Sequence, residues 1–162
     1  MALTDNLLLK VKKYKWELLL FVLVLISDRL TKVLALKFLL SKASVAVLPF
    51  FSLTYVENTG SAFGMFQNGN LFLLAVSVLV LCLMVKWHKD IFALGRLARY
   101  GYFLIFSGAI GNIYDRIMLG HVIDFLDFHF WPVFNVADSA ICVGAFLIGI
   151  AILKEEKGAV NK

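Results

Sequence analysis

Apolar residues in this chain are gathered into four long runs, at about 16–36, 71–87, 97–118 and 136–153. Each fits the roughly 17–25 helical residues that cross a hydrocarbon core, so the pattern predicts four membrane-spanning helices. Between them the period changes. Val45 to Tyr55 is rich in β-formers, and Phe51, Leu53 and Tyr55 alternate with Ser52 and Thr54, which predicts short strands broken at Pro49. Residues 58–60 read as a turn, and 61–67 as one short helix that would lay Phe63 and Phe66 on a bilayer surface. Gly120 to Pro132 alternates again, with Val122, Asp124, Leu126 and Phe128 on one face and Ile123, Phe125, Asp127 and His129 on the other.

Composition narrows the class. The 162 residues are 61% hydrophobic and 17% charged, whereas soluble domains are about 45–50% apolar and about 25% charged. A disordered tail, a collagen-like chain and a disulfide-stapled domain are excluded. The expectation is an all-α integral membrane protein, one polytopic domain over 1–162, with a small extracytoplasmic β-rich element and a short interfacial helix. The first run follows Lys10, Lys12, Lys13 and Lys15 as a signal peptide would. Three more runs and the lack of a small-residue cleavage site favour a retained anchor.

The net charge of +5 could suggest a nucleic-acid binder. The basic residues, however, sit in clusters between apolar runs, so no nucleic acid is expected. Lys86, Lys89, Arg96 and Arg99 join runs two and three, and Lys154, Lys157 and Lys162 follow run four. Segments 37–70 and 119–135 are poor in Lys and Arg. The positive-inside bias therefore puts both termini in the cytoplasm and those two segments outside. Cys82 and Cys142 lie within apolar runs and read as buried packing residues.

Three runs carry polar residues that hydrocarbon disfavours: Asp28 and Lys32 at i, i+4; Gly108, Gly111, Asn112 and Asp115 along one stripe, with Arg116 beside it; and Asn135 and Asp138 opening the fourth run. A charge at the centre of a membrane helix costs roughly 2.5–3.5 kcal/mol on insertion scales. All of these lie in the outer part of their runs, so one shared polar pocket explains them together. Small residues along the stripes, including Ala145 and Gly149 below Asp138, allow close helix approach. Plainer readings stand beside this one. Asp28–Lys32 has the spacing of a neutralising pair, Asn135 and Asp138 that of a helix cap, and Asp124 could be an interfacial loop carboxylate. Arg29 would snorkel outward, Asp127 would be solvated, and Gly108 with Gly111 would be a packing seam.

The inventory limits the chemistry. There is no G-x-S-x-G and no H-E-x-x-H, Cys82 has no polar companions, and no Gly-rich nucleotide loop occurs. His121, Asp124, Asp127 and His129 are metal-ligand types, but strand alternation places both histidines with Asp127 and leaves Asp124 on the other face, which weakens that reading. Asp124 and Asp138 remain. A close carboxylate pair shares one proton; the ionised member can take a proton from water and the other can donate to a carbonyl oxygen. The pair needs no cofactor or metal. Asp138, in a first helical turn, suits the anion, and Asp124, between Ile123 and Phe125, suits the proton.

At these residues the chain resembles the bacterial lipoprotein signal peptidases (signal peptidase II). The matching stretches are Asp28-Arg-Leu-Thr-Lys32, Glu57-Asn-Thr-Gly-Ser-Ala-Phe-Gly64, Gly108-Ala-Ile-Gly-Asn-Ile-Tyr-Asp-Arg116, Gly120-His-Val-Ile-Asp-Phe125 and Phe134-Asn-Val-Ala-Asp-Ser-Ala-Ile141, in that family's order. The resemblance implies an aspartic endopeptidase of the bacterial cytoplasmic (inner) membrane, working near the outer face. Its partners would be membrane lipids and a diacylglyceryl-modified prolipoprotein, cut just before the lipid-bearing cysteine, and it would act as a monomer. It also implies Asp124 and Asp138 as the catalytic pair, with Asp28, Lys32, Asn58, Gly108, Asn112, Arg116 and Asn135 shaping the pocket and holding substrate. The link from Asp124 to Asp138 is short for that family. Two rival classes are a proton-coupled transporter relaying through Asp28, Asp115 and Asp138, and a non-catalytic assembly subunit.

Overall fold

A computed structural model describes residues 13–42, 44–60 and 69–160, with side chains to residue 156. The short helix expected at 61–67, with Phe63 and Phe66, lies outside the described residues, as do Lys10, Lys12 and Lys162. Five helices and three strands follow in the order α1 (Lys15–Leu39), β1 (Val45–Leu48), β2 (Phe51–Asn58), α2 (Asn70–Lys86), α3 (His88–Ala93), α4 (Arg96–Met118), β3 (Val122–Asp127) and α5 (Val136–Val160). The four apolar runs all fold as helices. Only the end of the fourth differs much, because α5 continues past Leu153 through a charged turn.

The helices are inverted relative to a soluble protein. The buried stripe of α1 is Asp28, Lys32, Ala35 and Leu39, while Leu19, Leu23, Ile26, Leu30 and Leu34 face outward. Buried polar groups and a broad exposed apolar surface together describe helices whose solvent is hydrocarbon. Among the described residues, Val136–Glu156 is the one helix long and apolar enough to cross a membrane by composition alone; α2, at 17 residues, is apolar but shorter. Cys82 and Cys142 are exposed on this outer surface and are not the buried packing residues expected. They are weakly polar thiols that an apolar solvent tolerates as readily as a core does.

Helices α4 and α5 touch at the backbone. A Cβ on Gly101 would stand 2.6 Å from the Gly144 carbonyl oxygen, and one on Gly108 would strike the carbonyl of Ala137. The seam on α5 therefore runs through Ala137 and Gly144. The expected continuation through Gly149 meets nothing within 4 Å, while Ile148, one turn below Gly144, lies against Gly101; Gly149 is on another face of the helix. Gly108 is a spacer in this seam.

The three strands form one antiparallel sheet in the order β1-β2-β3. Leu48 pairs with Phe51, so Pro49 and Phe50 make the hairpin turn. Between β2 and β3 the register slips once: Leu53 faces Leu126, but Val56 faces Asp124. Such a bulge reverses which side chains share a face. Ile123 and Phe125 pack on Ala35 and Leu39, docking the sheet on the end of α1. Val122 and Asp124 are buried as well, so β3 has no solvated face at its start. Leu126 exchanges backbone hydrogen bonds with Phe134, of 2.8 and 3.1 Å, which closes the loop leading to α5.

Candidate active site

Asp124 and Asp138 come from different elements and are joined through Asn135. The Asn135 Nδ2 donates to Asp124 Oδ1 at 2.7 Å, and its backbone N–H donates to Asp138 Oδ2 at 3.2 Å. Its Oδ1 accepts the Asp138 backbone N–H at 2.9 Å. This is the helix-capping arrangement that the sequence spacing suggested. The cap and the carboxylate site are the same residues.

Three asparagines feed the pair, and the orientation of each amide is fixed by a partner that can only donate. Asn112 Oδ1 accepts from Lys32 Nζ at 3.0 Å, which turns Nδ2 to Asp138 Oδ1 at 2.8 Å. Asn58 Oδ1 accepts the Gly60 N–H at 3.0 Å, which turns Nδ2 to Asp124 Oδ2 at 2.8 Å. Asn135 Oδ1 is taken by the Asp138 N–H, so its Nδ2 faces Asp124. Each of the four carboxyl oxygens therefore receives one N–H. The strand bulge decides that Asn58 does this work: in the unbroken register of Leu53 and Leu126, Glu57 would stand diagonal to Asp124 instead. Burial raises the Asp124 carboxyl to about 7; the nearby Asp138 charge adds to this, against the two amide donors and Lys32.

Beneath the pair is a closed ionic network. Lys32 has no exposed side-chain surface and spends its three protons on Asp28 Oδ2 at 2.9 Å, Asp115 Oδ2 at 2.9 Å and Asn112 Oδ1 at 3.0 Å. Asp28 Oδ1 accepts the Ala137 N–H at 2.9 Å, capping α5 from outside. Gly111 makes room for that carboxylate, since a Cβ there would stand 2.7 Å from Asp28 Oδ2. Arg29, whose side chain is 45% exposed, also reaches inward: its Nη1 lies 3.2 Å from Asp115 Oδ1 and its guanidinium 4.8 Å from the Tyr114 ring. Two acids and two bases balance. Buried charge without such pairing would cost several kcal/mol per ion, as an order of magnitude.

Two cavities meet at Asp138. One of about 240 Å³ lies between α2, α4 and α5, where Ser77, Asn112 and Arg116 add polar groups to an apolar wall. The other, of about 350 Å³, is walled by Phe128, Phe130, Trp131 and Phe134. Asn70 Nδ2 holds the Arg116 backbone carbonyl at 3.2 Å, while the buried Arg116 Nε has no partner among the described residues.

The signal peptidase (SPase) II family model matches residues 20–154. The chain belongs to the signal peptidase II family. It is 43% identical over 153 residues to a lipoprotein signal peptidase of Thermodesulfovibrio yellowstonii, covering 91% of this chain and 100% of that one. A lipoprotein signal peptidase of Caldanaerobacter subterraneus subsp. tengcongensis is 46% identical over 136 residues, or 80% and 90% of the two chains. A bacterial membrane enzyme solved by the in meso method at 2.3 Å resolution superposes with a TM-score of 0.82 at 30% identity, over 89% of this chain and 91% of that one.

Within this signal peptidase, the residues singled out in the sequence separate by place. Asp124, Asp138, Asn58, Asn112 and Asn135 form one hydrogen-bonded cluster, and Arg116 lines the adjoining cavity. Asp28 and Lys32 lie behind that cluster in the ionic network, and Asp28 also lines a separate cavity of about 320 Å³ with Arg29 and Tyr114. Gly108 lies against Ala137 and Ile141 of α5. The four metal-ligand types are not brought together: His129 turns to Ser52, Asp127 to Thr54, and Asp124 to the asparagines. Asp127 is half-buried and hydrogen-bonded, not solvated as expected. Asp115 was legible as part of a stripe, but its hold on both Lys32 and Arg29 was not. Glu17, buried against Arg99 at 3.1 Å, gave no sequence signal.

Proposed function

We propose that this signal peptidase acts on diacylglyceryl-modified prolipoproteins and hydrolyses the bond before the lipid-bearing cysteine with a water held between Asp124 and Asp138. The observation that carries the reading is the bridge through Asn135, which ties the buried Asp124 carboxyl and the half-buried Asp138 carboxyl, from different elements, to one residue. Near neutral pH Asp124 carries the shared proton and Asp138 is the base. Asp138 takes a proton from water as its oxygen attacks the scissile carbonyl carbon, and Asp124 donates to the carbonyl oxygen. Asp138 then passes its proton to the leaving nitrogen while Asp124 takes one back from a hydroxyl of the gem-diol, so that the C–N bond breaks, the carbonyl re-forms as the acid and the pair is restored. The three asparagines hold the carboxyls in place through both steps.

The membrane placement belongs to the same proposal. Four spans, with both termini cytoplasmic, put the pair at the outer face of the cytoplasmic membrane, where a lipid-anchored substrate presents its scissile bond. The cavities divide the substrate by chemistry. A peptide carries N–H and C=O groups that need partners out of water, and the cleft between α2, α4 and α5 offers Ser77, Asn112 and Arg116. An acyl chain needs none, which suits the aromatic cavity. A relay through Asp28, Asp115 and Asp138 is disfavoured by Lys32, whose protons are all held by fixed acceptors.

The test is cleavage of a purified diacylglyceryl prolipoprotein, followed by gel shift. Asp124→Asn and Asp138→Asn should each lower the rate by about 10²–10⁴-fold, the range for losing a general acid or base, while the helical circular dichroism persists. Full activity in either folded variant would remove the dyad.

A further inference from the structure

The aromatic cavity is carried by an unusual turn. Phe130 N–H donates to the Phe128 carbonyl at 2.8 Å across His129, whose φ is +64°. A γ-turn with a positive central φ is rare and strained, and His129 is the one non-glycine residue with positive φ among those described. Such a conformation persists where its surroundings over-determine it. Here they do. The His129 backbone N–H donates to Asp127 Oδ1 at 2.8 Å, and its ring Nε2 lies 2.9 Å from Ser52 Oγ on β2. Asp127 Oδ2 accepts from Thr54 Oγ1, also on β2, at 3.0 Å. Two side-chain bonds thus staple the turn to the neighbouring strand.

The turn sets the cavity wall. Phe128 lies 4.8 Å from Phe51 of β2, 6.1 Å from Phe130, and is stacked at 5.9 Å on Phe134. Phe130 is 79% exposed and Trp131 54% exposed, forming the rim. The loop from Asp127 to Phe134 is closed at its base by Leu126 and Phe134, and the residues on either side of His129, Phe128 and Phe130, are two of the rings that line the cavity with Asp138.

We propose that His129 and Ser52 are positioning residues that hold the aromatic wall rigid and so set the enzyme's selectivity for the acyl chains of its substrate. The proposal rests on the prolipoprotein reading above and assigns a determinant to it. Neither residue touches the reacting atoms. A fixed wall discriminates chain length by packing, whereas a loose wall adapts to either chain and rewards the longer one less.

The experiment compares kcat/KM for two lipopeptide substrates of one sequence, one with long and one with short acyl chains. The variants are Ser52→Ala, His129→Asn and His129→Gly. Asn and Gly both tolerate the positive φ, so these two remove the ring and keep the turn. The expected result is a long-to-short preference reduced by roughly tenfold in all three, the lower end of what a methylene is worth in an apolar pocket. The change should appear in KM for the long-chain substrate, with kcat for the short-chain substrate kept. An unchanged preference in His129→Asn and His129→Gly would overturn the proposal, as would an equal loss on both substrates. Wild-type enzyme inert towards both lipopeptides would instead fail the prolipoprotein reading itself.

Discussion

Lys32 and Asn112 are joined by a hydrogen bond of 3.0 Å from the ammonium to the amide oxygen. The bond reaches beyond the pair, because an ammonium has no acceptor and so leaves the amide one orientation. Asn112 must present its NH₂ to Asp138. A fully buried cation thereby aims a donor at the candidate base without touching it.

Removing that cation should disturb stability and chemistry together. Lys32→Met leaves the buried Asp28 without an ion pair and Asp115 with Arg29 alone, and frees the Asn112 amide to rotate. The expected loss is about 3–5 kcal/mol, the range for breaking a buried ion pair from one side. Thermal unfolding in detergent, run beside the cleavage assay, should show both parameters falling. A variant as stable as the parent would mean that the network is not what holds α1 against α4 and α5.

A smaller change should reach the same network from the other side. A methyl at Gly111 would stand 2.7 Å from Asp28 Oδ2, and Asp28 holds the Ala137 N–H next to Asp138. Gly111→Ala should therefore cost roughly 1–3 kcal/mol by overpacking and lower cleavage beyond what its stability loss explains. Gly149→Ala, where a Cβ meets nothing within 4 Å, is the matched control and should leave both unchanged.

The pH dependence follows from Asp124. Its carboxyl titrates near 7 when folded, against 3.8 in a free chain. The folded protein therefore binds more protons than the unfolded one between those values. Stability contributed by this group is complete below about pH 4 and is lost as pH rises through 7. Activity should share that upper limb: above pH 7 the pair loses the proton it needs to donate, so kcat/KM should fall with a midpoint near neutrality. A profile measured from pH 5 to 9 checks this, and a plateau to pH 9 would contradict the assignment of the proton to Asp124.

What could be read from the chain alone was local. Four helices, the hairpin break at Pro49 and the capping spacing of Asn135 and Asp138 all follow from hydropathy period and from side-chain reach over three or four residues, which a sequence states directly. The inward stripe of α1 was legible for the same reason, since Asp28 and Lys32 stand one turn apart. The motifs added the family.

Tertiary structure decided which polar groups meet. The strand bulge puts Asn58 beside Asp124 where an unbroken register would offer Glu57, exchanging a donor for a like charge. The crossing of α4 and α5 places their seam on Gly144 and not Gly149, and the docking of α1 turns Arg29 in to Asp115. The β2 strand draws Asp127 and His129 into hydrogen bonds that alternation alone would leave in water. In each case the partners are far apart along the chain and several chemically equivalent choices exist. Only the packing of backbones against one another, fixed by contacts of a few ångströms, selects among them.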